Sequence, residues 1–107
     1  MIELRRYQQP DGKVPLTDWF GGLRDQQAKA KLLVRLRRLA IGIPGDAKSV
    51  GEGVYELREH IGPGYRLYYG RHGTSLVILL CAGDKSAQHA DIRHAKRYWS
   101  DWKRRNS

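Results

Sequence analysis

Cysteine is nearly missing from this chain: Cys81 is the only one among 107 residues, so no disulfide can form within it, and the usage suits a reducing compartment. Long apolar runs are missing too. The stretch Leu76-Val77-Ile78-Leu79-Leu80-Cys81-Ala82 falls far short of the roughly 18 apolar residues a membrane span needs, and Met1-Ile2-Glu3-Leu4-Arg5 lacks the apolar core of a secretory signal. Cys81, inside that stretch, reads as a small core residue and not as a nucleophile. No internal repeat, linker or low-complexity tract is present, and nothing has the spacing of metal ligands. These absences predict a cytoplasmic protein with no metal or other cofactor, folded as one domain over residues 1–107.

Acidic residues are the other scarcity. Eleven Asp and Glu face 20 Lys and Arg, leaving a formal charge of +9. Such a surface attracts polyanions and speeds their encounter. It suits RNA, DNA, an anionic membrane surface or an acidic protein, and nucleic acid is the first expectation. With 40% hydrophobic and 29% charged residues the composition is that of a folded globular protein, not a disordered basic tail.

Along the chain, Ile2 to Tyr7 reads as a short strand that stops at the turn Pro10-Asp11-Gly12-Lys13. Pro15 can open a helix in which Leu16, Trp19, Phe20 and Leu23 fall at helical spacing. From Asp25 a second helix runs towards Gly42, with Ala28, Leu32, Leu36 and Leu39 on one stripe and Lys29, Lys31, Arg35, Arg37 and Arg38 around the remainder. The two form a hairpin with apolar stripes facing a sheet. Val54 to Arg58, Tyr65 to Tyr69 and Leu76 to Cys81 read as three antiparallel strands, the last apolar on both faces and so interior. A final helix is expected from a cap at Ser86 through Trp102, with Ile92, Ala95, Trp99 and Trp102 on one face as core or partner contacts.

Alternation along the strands puts Arg58, Arg66 and Tyr68 on one face if Leu57 and Leu67 point at the helices, and that face is expected to be open. Two guanidinium groups and a phenol side by side can grip a phosphate, because the planar donor fork of arginine matches phosphate oxygens. Equally, the arginines can pair with Glu56, Glu59 or Asp84 across strands. Lys85, in the loop Gly83-Asp84-Lys85-Ser86, either adds a third cation or is simply solvated. Histidine is the side-chain type that changes charge near neutrality; His60, His72, His89 and His94 are the four present, and each also suits a plain surface position.

The order Pro15-Leu16-Thr17-Asp18-Trp19, the basic helix to Arg38-Leu39-Ala40, Val54-Tyr55-Glu56-Leu57-Arg58, Gly64-Tyr65-Arg66-Leu67-Tyr68-Tyr69 and Gly83-Asp84-Lys85-Ser86 resembles the RelE/ParE toxin superfamily, and within it the HigB-like "addiction module killer protein" members. The resemblance spans nearly the whole chain. It implies an α+β fold with an N-terminal strand and helical hairpin packed on an antiparallel four-stranded sheet, plus a C-terminal helix. It implies a toxin neutralised by a separately encoded helix-turn-helix antitoxin, operator DNA being met only through that complex. Ribonuclease members enter the ribosomal A site and cut messenger RNA without a metal.

By position, Arg58 and Arg66 resemble the phosphate-binding arginines, and Lys85 the basic residue before the last helix. Tyr68 and His89 are further candidates for moving protons, and Lys29, Lys31, Arg35, Arg38 and Arg93 for holding RNA. Many relatives carry two adjacent lysines where this chain has Asp84-Lys85. Two alternatives accompany the ribonuclease expectation: a ParE-like inhibitor of DNA gyrase, and a basic binding module without catalysis.

Overall fold

The computed structural model describes residues 1–107. Strand β1 (Glu3–Arg6) leads into helices α1 (Pro15–Gly22) and α2 (Gln26–Ala40). Then follow β2 (Ala47–Gly51), β3 (Val54–Glu59), β4 (Tyr65–His72) and β5 (Leu76–Asp84), a single 3-10 turn (Lys85–Ala87) and α3 (Gln88–Arg105). The strands form one sheet in the order β1-β5-β4-β3-β2.

Local chemistry explains the hairpin. Pro15 stands at the first helical position of α1, where its missing N–H costs nothing. Asp25 caps α2 by accepting the Ala28 N–H at 2.9 Å. The α2 stripe Ala28, Leu32, Leu36 and Leu39 is buried as its spacing predicts, and packs with Leu16 and Phe20 of α1 against Leu57, Leu67, Tyr69, Val77 and Leu79 of the sheet.

The sheet corrects the sequence reading in two ways. It has five strands, not four, because Ala47–Gly51 pairs antiparallel with β3; Ala-Lys-Ser-Val-Gly carries little strand propensity and is held extended by its neighbour. It is also mixed, since β1 runs parallel to β5, with Glu3 opposite Leu76 and Arg6 opposite Leu79. The hairpin carries the chain from one edge of the sheet to the other, and the meander β2 to β5 then returns beside β1, the crossover that a parallel pair requires.

The expected interior strand is β5, and it is bulged. Tyr68 pairs with Cys81 but Tyr69 with Leu79, so Leu80 is the extra residue. Leu80 and Cys81 consequently face the same way, into a second core with Tyr7, Val54, Tyr68, Ile78, Ala95 and Trp99. Beyond the bulge the alternation is reset, and Gly83 stands opposite Arg66 on that same face.

The face expected to be open is therefore covered. Helix α3 lies across it, Tyr68 is fully buried, and solvent reaches mainly the end bearing Arg58. A helix presenting Ile92, Ala95, Trp99 and Trp102 must bury that stripe, and the sheet's second face is the apolar surface left for it. The start of the helix also differs. Asp84, not Ser86, is the cap, accepting the Ser86 N–H at 2.9 Å over the 3-10 turn, and α3 itself runs from Gln88 through the basic end to Arg105.

Candidate active site

Arg58 and Arg66 are direct cross-strand partners in the β3/β4 pair. The Arg58 N–H is given to Asp46 O at 2.9 Å, and Arg58 O accepts Arg35 Nη1 at 2.6 Å, so both backbone groups of Arg58 turn away from β4. The two arginines thus form the close, non-hydrogen-bonded kind of pair, in which Cα atoms approach to about 4.5 Å. Like charges held opposite each other destabilise a sheet. Each is met by a different carboxylate.

Arg58, a third exposed, donates through Nη2 and Nε to Asp46 Oδ1 at 3.0 and 3.2 Å. His60 Nε2 lies 2.7 Å from the other oxygen of Asp46. The His60 hydrogen bond, followed by that of Arg58, holds the Asp46 carboxyl below its ordinary value. Arg66 is more enclosed, with its side chain 11% exposed. Its Nε has no hydrogen-bond partner and sits 3.7 Å from Oε2 of Glu56, a carboxylate with no exposed surface. That same oxygen accepts Tyr68 Oη at 3.0 Å and Gln88 Nε2 at 2.8 Å, while Glu56 Oε1 has no partner.

Gly64 joins the third cation to this pair. Its φ of +82° suits glycine, and its carbonyl accepts the Lys85 N–H at 3.0 Å. A Cβ placed on Gly64 would lie 3.8 Å from Arg66 Nη1 and 3.9 Å from Lys85 Cβ, so the tip of Arg66 and the stem of Lys85 converge there. Lys85 is exposed, as is His89 in the first turn of α3. Arg58, Arg66 and Lys85 thereby occupy one end of the sheet, at the turn before β4 and the turn after β5.

Tyr68 lies inward of them. Burial, reinforced by the neighbouring Glu56 carboxylate, pushes its phenol far above its ordinary value, and the hydroxyl is committed to that carboxylate. Among the residues expected to hold RNA, Lys31, Arg38 and Arg93 are exposed and Lys29 is half-buried. Arg35 stands apart: only 11% of its side chain is exposed, and Nη2 donates to the carbonyls of Pro44 and Asp46 at 3.0 and 3.1 Å. It clamps α2 to the loop carrying Asp46.

Asp46, Gln88 and Asp91 were not singled out by the sequence. Asp91 Oδ2 is buried without a partner and occupies the space a Cβ on Gly83 would need, so a side chain opposite Arg66 would have to displace the Asp91 carboxylate. Burial raises the Asp91 carboxyl above its ordinary value, and His94 partly offsets this. A carboxyl raised in the folded state binds its proton more tightly there, so it costs stability at neutral pH and ceases to do so as pH falls through that raised value. Asp91→Asn is expected to raise the thermal midpoint at pH 7, the gain fading towards a pH of about 4. Equal midpoints at pH 7 would contradict this.

No group of three or more His, Cys, Asp or Glu side chains is placed to hold a metal ion, and no helix is long and apolar enough to cross a membrane. Burial drives the Cys81 thiol well above its ordinary value.

Residues 18–99 match the family model described as Phage derived protein Gp49-like (DUF891). The chain is also 50% identical over 78 residues to an uncharacterized protein of Haemophilus influenzae (strain ATCC 51907 / DSM 11121 / KW20 / Rd), covering 73% of this chain and 79% of that protein. The matched region holds both arginines, Lys85 and the first two-thirds of α3, and with it the chain belongs to the Gp49-like family of phage-derived proteins, a family associated with toxin–antitoxin modules.

Proposed function

We propose that this protein is the toxin of a type II toxin–antitoxin system and acts in the cytoplasm as a ribosome-dependent endoribonuclease on messenger RNA, silenced by a cognate helix-turn-helix antitoxin. The observation that carries the proposal is the forced juxtaposition of Arg58 and Arg66, with Lys85 beside them across Gly64. Each arginine already has a carboxylate of its own, but the Arg58 Nη1 and Arg66 Nη groups carry N–H donors beyond those contacts, and a phosphodiester supplies oxygens that match such a donor fork.

In the proposed reaction the ribose 2′-oxygen attacks the adjacent phosphorus, the bond to the 5′-oxygen breaks, and a 2′,3′-cyclic phosphate and a 5′-hydroxyl end result. One proton leaves the 2′-hydroxyl and one reaches the departing 5′-oxygen. Arg66 holds the charge that develops on the phosphoryl oxygens, and Arg58 orients the phosphate. Exposed Lys85 is the first candidate for moving protons and exposed His89 the next. Tyr68 ranks below both, because its hydroxyl is buried and engaged by Glu56. No metal enters this chemistry.

Purified protein added to ribosomes programmed with a defined message tests the proposal, with cleavage read by primer extension. Cuts within the codon in the A site, absent with Arg58→Ala and Arg66→Ala proteins, are expected. An intact message together with inhibited DNA gyrase would replace the proposal by the ParE-like reading, and no effect on either would leave a binding module. Charge reversal at Lys31, Arg38 and Arg93 is expected to weaken ribosome binding and reduce its salt dependence by about one slope unit per lost phosphate contact, with cut positions unchanged. Altered cut positions would move those residues into the chemistry.

A further inference from the structure

The geometry points to Glu56 as a positioning residue that sets, from inside the protein, where Arg66 presents its outer nitrogens and where the Lys85 turn sits; the role rests on the ribonuclease proposal above. Glu56 is the one fully buried charged residue, and one of its oxygens has no partner. Stability does not account for such a group, since burying a carboxylate is costly and a well-packed apolar replacement is often neutral or better. What distinguishes Glu56 is its set of neighbours.

Two elements converge on it. Tyr68 and Arg66 come from β4, two residues apart on one face, and Gln88 is the first residue of α3. The contact with Arg66 is 3.7 Å, beyond hydrogen-bond length, so it acts by charge and not by a fixed bond. In an enclosed site that attraction is strong. It draws Nε inward and leaves Nη1 at the Gly64 turn, where a phosphate would meet it. Gln88 follows the Lys85–Ala87 turn directly, so its bond to Glu56 fastens the far end of the turn, whose near end is held by the Lys85 N–H to Gly64 O bond. One carboxylate is thereby tied to both cations.

Glu56→Gln isolates this role. Glutamine keeps the volume and an oxygen able to accept from Tyr68 and Gln88, but removes the charge facing Arg66. Thermal unfolding, steady-state cleavage on programmed ribosomes and the 15N-resolved Nε–H resonance of Arg66 are to be measured on the wild-type and variant proteins. An unfolding midpoint equal to or above wild type, an unchanged KM, a kcat reduced about a hundredfold and a shifted or broadened Arg66 resonance are expected.

A wild-type kcat overturns the role, and so does an unmoved resonance whatever the rate does. If the wild-type chain cuts no message, the ribonuclease proposal fails separately, and the resonance still decides whether Glu56 positions Arg66. Should Glu56→Gln not fold, Gln88→Ala takes its place, with a smaller fall in kcat at unchanged KM expected; an unchanged kcat there overturns the role equally.

Discussion

Replacing Arg66 by alanine is expected to lower cleavage by on the order of 10²–10³-fold, the loss typical when one preorganised donor to a developing oxyanion is removed, and to relieve growth arrest. Activity alone does not make the case, because Arg66 also neutralises Glu56. With the arginine gone, a carboxylate with no exposed surface is left without its nearest cation. Breaking a buried pair in this way costs about 3–5 kcal/mol, and the lower end suits a contact already beyond hydrogen-bond length. The double variant Arg66→Ala, Glu56→Gln removes the stranded charge and is expected to recover the unfolding midpoint without recovering cleavage. Activity that returns along with stability would assign Arg66 to the fold and not to the reaction.

The largest effect on stability is expected at Trp99. The residue is 4% exposed, and its ring stacks on Trp102 with centroids 5.3 Å apart and lies so close to β4 that a Cβ on Gly70 would come within 2.5 Å of the ring carbons. Trp99→Ala opens a cavity between α3 and the sheet and is expected to cost about 3–5 kcal/mol, which in a domain of this size lowers the thermal midpoint by about 15 °C or more. Gly70→Ala attacks the same contact from the other side by overpacking, at about 1–3 kcal/mol or above. Circular dichroism melts of the two proteins decide the point. Midpoints within a few degrees of wild type would mean that α3 is not docked as described, and the enclosure of Glu56, Tyr68 and Arg66 would go with it.

The parts of this fold legible in the sequence are those specified by short-range periodicity. Ala28, Leu32, Leu36 and Leu39 announce the buried stripe of α2, and the doubly apolar run from Leu76 marks the interior strand. What escaped depends on partners distant in the chain. Nothing in Ala-Lys-Ser-Val-Gly marks a strand until β3 lies beside it, and the direction of β1 is settled only by the returning meander. The amphipathic face of α3 was visible, but not that the second face of the sheet would receive it. The site divides in the same way. Equal parity on adjacent strands placed Arg58 and Arg66 together, and the register bears this out. Their countercharges were less accessible: Glu56 was one of several candidates for either arginine, while Asp46 lies in a loop without pattern, 12 residues from Arg58. Gln88 reaches Glu56 across 32 residues, from a helix position that looks like ordinary surface.

The bulge at Leu80 shows how a local irregularity serves the site. Without it Gly83 would face α1 and α2, and the position beside Arg66 would carry Ala82, whose methyl group would compete with Asp91 for space. The extra residue in β5 therefore both fills the α3 core with Leu80 and Cys81 and clears the flank of Arg66.

The claim that this protein cuts messenger RNA at the site of Arg58 and Arg66 is met most directly by mapping new 5′ ends of cellular message within minutes of inducing the wild-type and Arg66→Ala proteins in a bacterial host. Cuts confined to translated codons in the wild type and missing in the variant are the predicted result. Growth arrest with messages intact, or an unchanged cut pattern in Arg66→Ala, would contradict it.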